Sequence, residues 1–189
     1  MTDSNKEVIM IVAKLVIISL VASALLGVTY VPTQKQLKIN YELARQEALK
    51  EIMPDAANFE AVEGGIINDE GDREIYYYRA FDASGNPAGY AFFRQQAGAQ
   101  GMIEVAGGVN ANFEMLTGMT VMGHSETPGL GAKIVTPEFK NQFVNIAIAD
   151  LSLSSAGGKI DSITGASISS QAVVDALNAK IEEVKEAEE

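Results

Sequence analysis

The 189-residue chain contains no cysteine and a single histidine, His124. The first absence excludes disulfides, thiolate metal sites, cysteine-ligated iron–sulfur clusters and a cysteine nucleophile. The second excludes a multi-histidine metal centre and a bis-histidine haem. Positive charge is also scarce: 14 Lys and Arg stand against 25 Asp and Glu, a formal net charge of −11. Such a chain does not suit non-specific nucleic-acid binding, which needs a positive face. Any redox role must therefore use an organic cofactor. What is present is enough apolar material, 47%, for one folded domain with a sizeable core rather than two.

That apolar content is unevenly placed. Val8 to Val31 is a run of 24 positions in which Lys14 is the only charge. As a helix it reaches roughly 36 Å, enough for a hydrocarbon core of about 30 Å. Lys14 can snorkel to one headgroup layer, Tyr30 suits the other, and Pro32 is expected to stop the helix. Ala22-Ser23-Ala24 mimics a signal-peptide cleavage site, but the run continues through Leu25, Leu26 and Val28. Length therefore favours an uncleaved anchor. Lys6 and Lys14 are offset by Asp3 and Glu7, and Lys35 and Lys38 follow the span, so flanking charge is nearly balanced. The short tail before the span favours a cytoplasmic N-terminus with the remaining chain on the outer face.

Beyond the span, Leu37, Tyr41, Ala44, Ala48 and Ile52 share one face of a predicted helix that Pro54 ends. The expected organisation is a tail and transmembrane helix over 1–31, a linker helix over 32–54 and a globular domain over 55–189. In that domain, Ile75 to Phe81 and Gly89 to Phe93 flank the turn-forming Asp82-Ala83-Ser84-Gly85-Asn86-Pro87, which predicts a hairpin. Met102–Val105, Met119–Met122 and Ala147–Leu153 read as further strands. Thr136-Pro137-Glu138 reads as the start of a short helix that buries Phe139 and Phe143. Val173, Val174, Leu177, Ile181 and Val184 form the apolar stripe of a last helix, expected from Ser170 to Lys185, with 186–189 as a fraying tail. Tyr76, Tyr77 and Tyr78 read as core and surface aromatics. The order of elements gives an α+β class with a largely antiparallel sheet and flanking helices.

Two segments have chemical potential. Asp161-Ser162-Ile163-Thr164-Gly165-Ala166-Ser167 precedes the last helix, whose free N–H groups and dipole favour a phosphate. The simpler alternative is an ordinary helix cap made by Ser or Thr. His124-Ser125-Glu126-Thr127-Pro128-Gly129-Leu130-Gly131 forms a tight, rigid loop, a common place for a site but equally a plain connection. His124 is a candidate acid–base group, and no catalytic triad is compelling.

Together these residues resemble the G subunits of Rnf complexes, which are membrane-bound, ion-translocating ferredoxin–NAD oxidoreductases. They are also similar to the C subunits of Na+-translocating NADH–quinone reductases. Both groups carry an FMN-binding domain after one N-terminal span. Their motif, an Asp followed by [ST]-G-A-[ST], stands here as Asp161 and Thr164-Gly165-Ala166-Ser167, and their E-T-P-G-L-G signature is unbroken from Glu126 to Gly131. Gly85, Gly89-Tyr90 and Met53-Pro54 match as well, so the resemblance covers essentially the whole chain. The short length favours the Rnf group.

The resemblance implies an electron-transfer subunit, one part of a redox complex rather than a complete enzyme. It implies FMN held covalently as a phosphoester on Ser167, transferred from FAD by a dedicated Mg2+-dependent flavin transferase that reads Asp161, Thr164, Gly165 and Ala166. Most members of the two groups have Thr at the acceptor position; Ser supplies the same oxygen without the β-branch. Glu126, Thr127, Pro128, Gly129 and Leu130 are expected to border the flavin, with backbone N–H groups favouring its reduced form. The expected partners are the membrane, the transferase during maturation, and the other membrane and peripheral subunits of the complex; nucleic acid is not one. The alternatives are the quinone-reductase group, a membrane-anchored binding or sensor module without flavin, and a subunit that only braces the assembly.

Overall fold

The computed structural model describes residues 3–67 and 73–189; the first two residues of the expected N-terminal tail lie outside them. The chain divides into two compact units, residues 1–44 and 45–189. The first is helical. Helix α1 runs from Asp3 to Ile52 and ends in the second unit. It is the one helix among the described residues long and apolar enough to cross a membrane, and its most apolar stretch is not buried.

Pro32 does not stop α1, contrary to the expectation from sequence. A proline removes one N–H from the ladder, and the turns on either side can absorb that loss. Here the Thr29 hydroxyl donates to the carbonyls of Leu25 and Leu26 at 3.0 and 3.1 Å, and the Thr33 hydroxyl donates to that of Thr29 at 2.7 Å. The predicted face of this helix divides between the two units. Leu37 and Tyr41 are exposed, whereas Ala48, Leu49 and Ile52 are buried.

The second unit is built on one antiparallel sheet in sequence order: β1 (Asn58–Ile67), β2 (Arg73–Phe81), β3 (Pro87–Ala97), β4 (Met102–Asn110), β5 (Met115–Gly123) and β6 (Ile146–Ala147). The α+β class and the antiparallel sheet with helices are as expected. The predicted hairpin is β2–β3. Its turn is closed by the Asp82 carboxylate, which accepts from the N–H groups of Ser84 and Asn86 at 2.8 and 2.9 Å. The short helix read from Thr136 onward is α2 (Pro137–Lys140), with Phe139 and Phe143 buried as expected. Two longer helical elements cover the sheet. The end of α1 places Ala48, Leu49, Ile52 and Met53 against Tyr78, Ala80, Ala91 and Ala106. Helix α3 (Ser167–Glu188) places Val173, Val174, Leu177, Ile181 and Val184 in a second cluster with Tyr77, Phe92, Val105 and Val109. Successive residues such as Ala91 and Phe92 fall in different clusters, as period-two alternation requires.

Four local expectations change. Strand β1 was not visible in the sequence: Glu60, Glu63, Gly64 and Gly65 give it an edge-strand composition without alternation. Of the strand expected over Ala147–Leu153 only Ala147 is in a strand, the two-residue β6. The chain then turns in a short 3-10 helix, Ile148–Asp150, and touches strand geometry again only at the Leu153–Ile160 bridge. Tyr76 and Tyr77 both pack on the α3 side, because β1 pairs Val62 with Tyr77 but Glu63 with Ile75, which makes Tyr76 the extra residue of a bulge. The chain end is not a fraying tail. The Glu188 carboxylate accepts from the Tyr77 and Tyr90 hydroxyls and pairs with Arg79 at 2.8 Å. Burial pushes this carboxyl up, but the Tyr77 and Arg79 contacts outweigh burial and hold it below its ordinary value.

At Gly107 of β4 the α3 side chain Leu177 packs directly over the sheet backbone. A Cβ there would lie 2.5 Å from Leu177 Cδ2 and 2.8 Å from Phe92 Cε2, both in fully buried side chains. Gly107→Ala is therefore expected to lower unfolding free energy by about 1–3 kcal/mol through overpacking, measured by chemical denaturation of the chain in detergent. An unchanged midpoint would show that the packing there yields freely.

Candidate functional site

Both segments singled out by sequence lie at the N-terminal end of α3. The first is the approach to the helix. Its N-cap is Ala166, and no side chain caps the helix start. The cap expected under the simpler reading is therefore missing. Ser167, Ile168 and Ser169 open the helix, and their N–H groups have no backbone acceptor among the described residues. Ser167 and Ile168 are exposed, as are Thr164 and Gly165; Ala166 is buried. Ser167 is one of the residues lining a shallow groove of about 390 Å3, together with Ala97, Leu153, Ser155, Ile168, Gln171, Ala172 and Asp175.

The approach is a tight turn with fixed bonds. The Ala166 N–H donates to the Ile163 carbonyl at 2.9 Å. Ser170, fully buried, accepts the Ile163 N–H at 3.0 Å and donates to the Ala166 carbonyl at 3.1 Å. Gly165 takes a φ of +81°, a conformation that side chains other than glycine seldom adopt, and a Cβ there would come within 3.2 Å of Leu130 Cδ2.

Leu130 belongs to the second segment, so the structure brings the two together. Thr127, Pro128, Gly129 and Leu130 form the turn of this loop, which the Thr127 carbonyl closes by accepting from the N–H groups of Leu130 and Ala132. Pro128, Gly129 and Leu130 are exposed. Glu126 is different: it is buried, at 4% exposure. Its carboxylate accepts the Ser169 hydroxyl at 2.5 Å and the Gln100 N–H at 3.0 Å. It thereby ties its own loop to the first turn of α3 and to the β3–β4 turn. The last glycine of the loop makes this possible. A Cβ on Gly131 would sit 2.5 Å from a Glu126 carboxylate oxygen and 2.6 Å from the Ser169 hydroxyl.

Burial alone pushes the Glu126 carboxyl up, yet the donors around it prevail and hold it below its ordinary value. They are the Gln100 N–H, the Ser169 hydroxyl and the N–H groups of Ala99 and Gly101. Glu126 is thus an anion held by the fold. The Nδ1 of His124 accepts the Glu126 N–H at 3.2 Å.

The exposed surface that results is mixed. It offers a primary hydroxyl, uncapped N–H donors suited to an anion, and two exposed apolar side chains, Leu130 and Ile168, at 45% and 65% exposure. Among the described residues no cluster of carboxylates and imidazole is placed to hold a metal ion. Ser169, Ser170 and Gln100 were missed from sequence. Ser170 carried a signal: it precedes Val173 and Val174 by three and four positions, on the buried stripe, where a hydroxyl must find a partner.

Comparison with known proteins gives the family. Residues 98–182 match the FMN-binding domain family, from the turn that holds Glu126 to the body of α3. The chain is 52% identical over 184 residues to the G subunit of the ion-translocating oxidoreductase complex of Methanosarcina acetivorans, covering 97% of each chain. It is 29% identical over 185 residues to the G subunit of the Na+-translocating ferredoxin:NAD+ oxidoreductase complex of Acetobacterium woodii, covering 89% of this chain and 87% of that one. The crystal structure of the C subunit of the Na+-translocating NADH-quinone reductase from Parabacteroides distasonis aligns with a TM-score of 0.48 and 27% identity, over 58% of this chain and 61% of that one.

Glu126 yields a pH prediction. A carboxyl whose folded pKa is depressed adds stability above its unfolded pKa, and that stability is lost as pH falls through the folded value. Glu126→Gln is expected to lower stability by about 2 kcal/mol at pH 7, because a charged acceptor is replaced by an amide that misdirects a donor. The gap between wild type and variant should close as the pH falls below about 4, measured by denaturant unfolding across pH. A gap independent of pH would contradict the ionised state.

Proposed function

This chain belongs to the family of G subunits of ion-translocating oxidoreductase complexes, and on that premise we propose that it carries FMN as a phosphoester on the Ser167 hydroxyl. The coarser statement follows from the family: the chain is a membrane-associated redox subunit with an FMN-binding domain, one member of a multi-subunit complex. The observation that carries the finer reading is the exposed Ser167 hydroxyl at the uncapped start of α3, beside the loop clamped by Glu126.

In the proposed transfer the Ser167 Oγ forms a bond to the FMN-side phosphorus of FAD. The pyrophosphate P–O bond breaks, AMP leaves with the bridging oxygen, and the hydroxyl proton passes to a base of the flavin transferase. Asp161 and Thr164 are exposed and available to that enzyme. Once the ester is made, the N–H groups of Ser167, Ile168 and Ser169 are the donors nearest its phosphate. Leu130 and Ile168 offer apolar contact to the ring, while Thr127, Pro128 and Gly129 shape the loop edge. Glu126 acts from behind, fixing the loop through Ser169 and Gln100. When bound, FMN supplies one- or two-electron redox chemistry to a chain that has no cysteine to do so.

The proposed organisation is a tail and span over 1–31, a linker over 32–54 and the FMN domain over 55–189. The N-terminus is cytoplasmic and the domain lies on the outer face, with the membrane and peripheral subunits of the complex as partners.

Two experiments test these statements. Chain coproduced with the transferase should gain the mass of one FMN and stay fluorescent in a denaturing gel. Ser167→Ala should abolish both signals and Ser167→Thr should keep them. Fluorescence persisting in Ser167→Ala would move the flavin elsewhere, and a bare polypeptide mass in the wild type would favour an unflavinylated module. For topology, the absence of native cysteine makes Ser84→Cys, in the exposed β2–β3 turn, a unique label site. Intact cells should label it with a membrane-impermeant maleimide; labelling only after lysis would reverse the orientation.

A further inference from the structure

The turn before Ser167 is gripped from a second direction, by a residue that neither signature contains. Gln142 lies in the short 3-10 helix Asn141–Phe143 that follows α2. Its Oε1 accepts the Asp161 N–H at 2.7 Å, and its Nε2 donates to the Asp161 carbonyl at 3.4 Å. One planar carboxamide thus meets both backbone groups of one residue, which requires a donor and an acceptor side by side, as only Asn and Gln provide. The support beneath is firm. Phe139 and Phe143 flank Gln142, are buried to within 2% exposure, and meet edge-to-face at 5.1 Å.

With its main chain held by Gln142, Asp161 leaves its own side chain exposed. Ser170 holds the other end of the same turn through Ile163 and Ala166. Asp161, Thr164 and Ser167 are therefore displayed at fixed spacing on a folded surface, rather than offered as a loose peptide.

We propose that Gln142 is a positioning residue for flavin transfer: by gripping the backbone of Asp161 it presents that carboxylate to the transferase in register with the Ser167 hydroxyl. The proposal rests on the reading of Ser167 as acceptor. Gln142 touches neither the flavin nor the reacting atoms, and acts through Asp161.

The test uses the full chain in detergent with purified transferase, FAD and Mg2+, and follows covalent fluorescence against acceptor concentration. Gln142→Ala and Gln142→Met, the second filling the same volume without polar atoms, are each made in the wild-type and Asp161→Ala backgrounds. In the wild-type background both should lower kcat/KM for the acceptor about tenfold, mainly by raising KM. In the Asp161→Ala background neither should lower it further, since both changes remove one interaction. A folded Gln142 variant that reacts at the wild-type rate overturns the proposal. So does a loss that multiplies in full on Asp161→Ala, or an Asp161→Ala chain that reacts normally. Loss of cooperative thermal unfolding in both Gln142 variants would make the residue structural and also overturn it. A wild-type chain that takes no FMN would instead sink the acceptor reading on which the proposal stands.

Discussion

The buried Glu126 carboxylate is the joint on which the site depends. Three segments distant in sequence meet at its two oxygens: the β3–β4 turn through Gln100, the first turn of α3 through Ser169, and its own loop. A buried anion is tolerated only where donors surround it, and here four groups share the task. Because the anion is satisfied internally, it does not compete for a ligand. The neighbouring donors at the start of α3 remain available. The geometry thus divides labour between an acid that holds the frame and a helix start that faces outward.

The rest of the globular unit keeps that joint in place. Helix α3 is held along its length by Val173, Leu177 and Ile181 against the sheet, and at its far end by Glu188 on Tyr77, Tyr90 and Arg79. The other sheet face is closed by the end of α1, where the Thr117 hydroxyl donates to the Ile52 carbonyl at 2.7 Å. A helix fixed at both ends cannot slide along the sheet, so its first turn stays in register with the Glu126 loop.

Much of this was legible in the amino-acid order. The apolar run of α1, the β2–β3 hairpin and the stripe of α3 follow from periodicity and turn chemistry, which are local. The two signatures could be named, but not their junction, because Glu126 and Ser169 are 43 positions apart and neither carries a mark of burial. Strand β1 escaped notice because an edge strand answers to pairing with β2 rather than to alternation. The expected strand over Ala147–Leu153 failed for the opposite reason. Leu151 and Leu153 are buried by packing, and beyond Ala147 the segment has no ladder partner in β5. Pro32 was over-read, since a proline forbids one hydrogen bond and not a helix. The tail at Glu188 was under-read, because a run of acids looks solvated until the tyrosines that face it are known.

The missing cap on α3 has a thermodynamic meaning beyond recognition. Most helices settle their first N–H groups with a Ser, Thr or Asp of their own, a contribution of about 1 kcal/mol. This one has Ala166 as its N-cap and leaves that stabilisation unclaimed. An anion fixed at Ser167 would act as the cap that the sequence omits, so modification and folding would favour each other. In that sense an ester at Ser167 would contribute to the fold as well as to function.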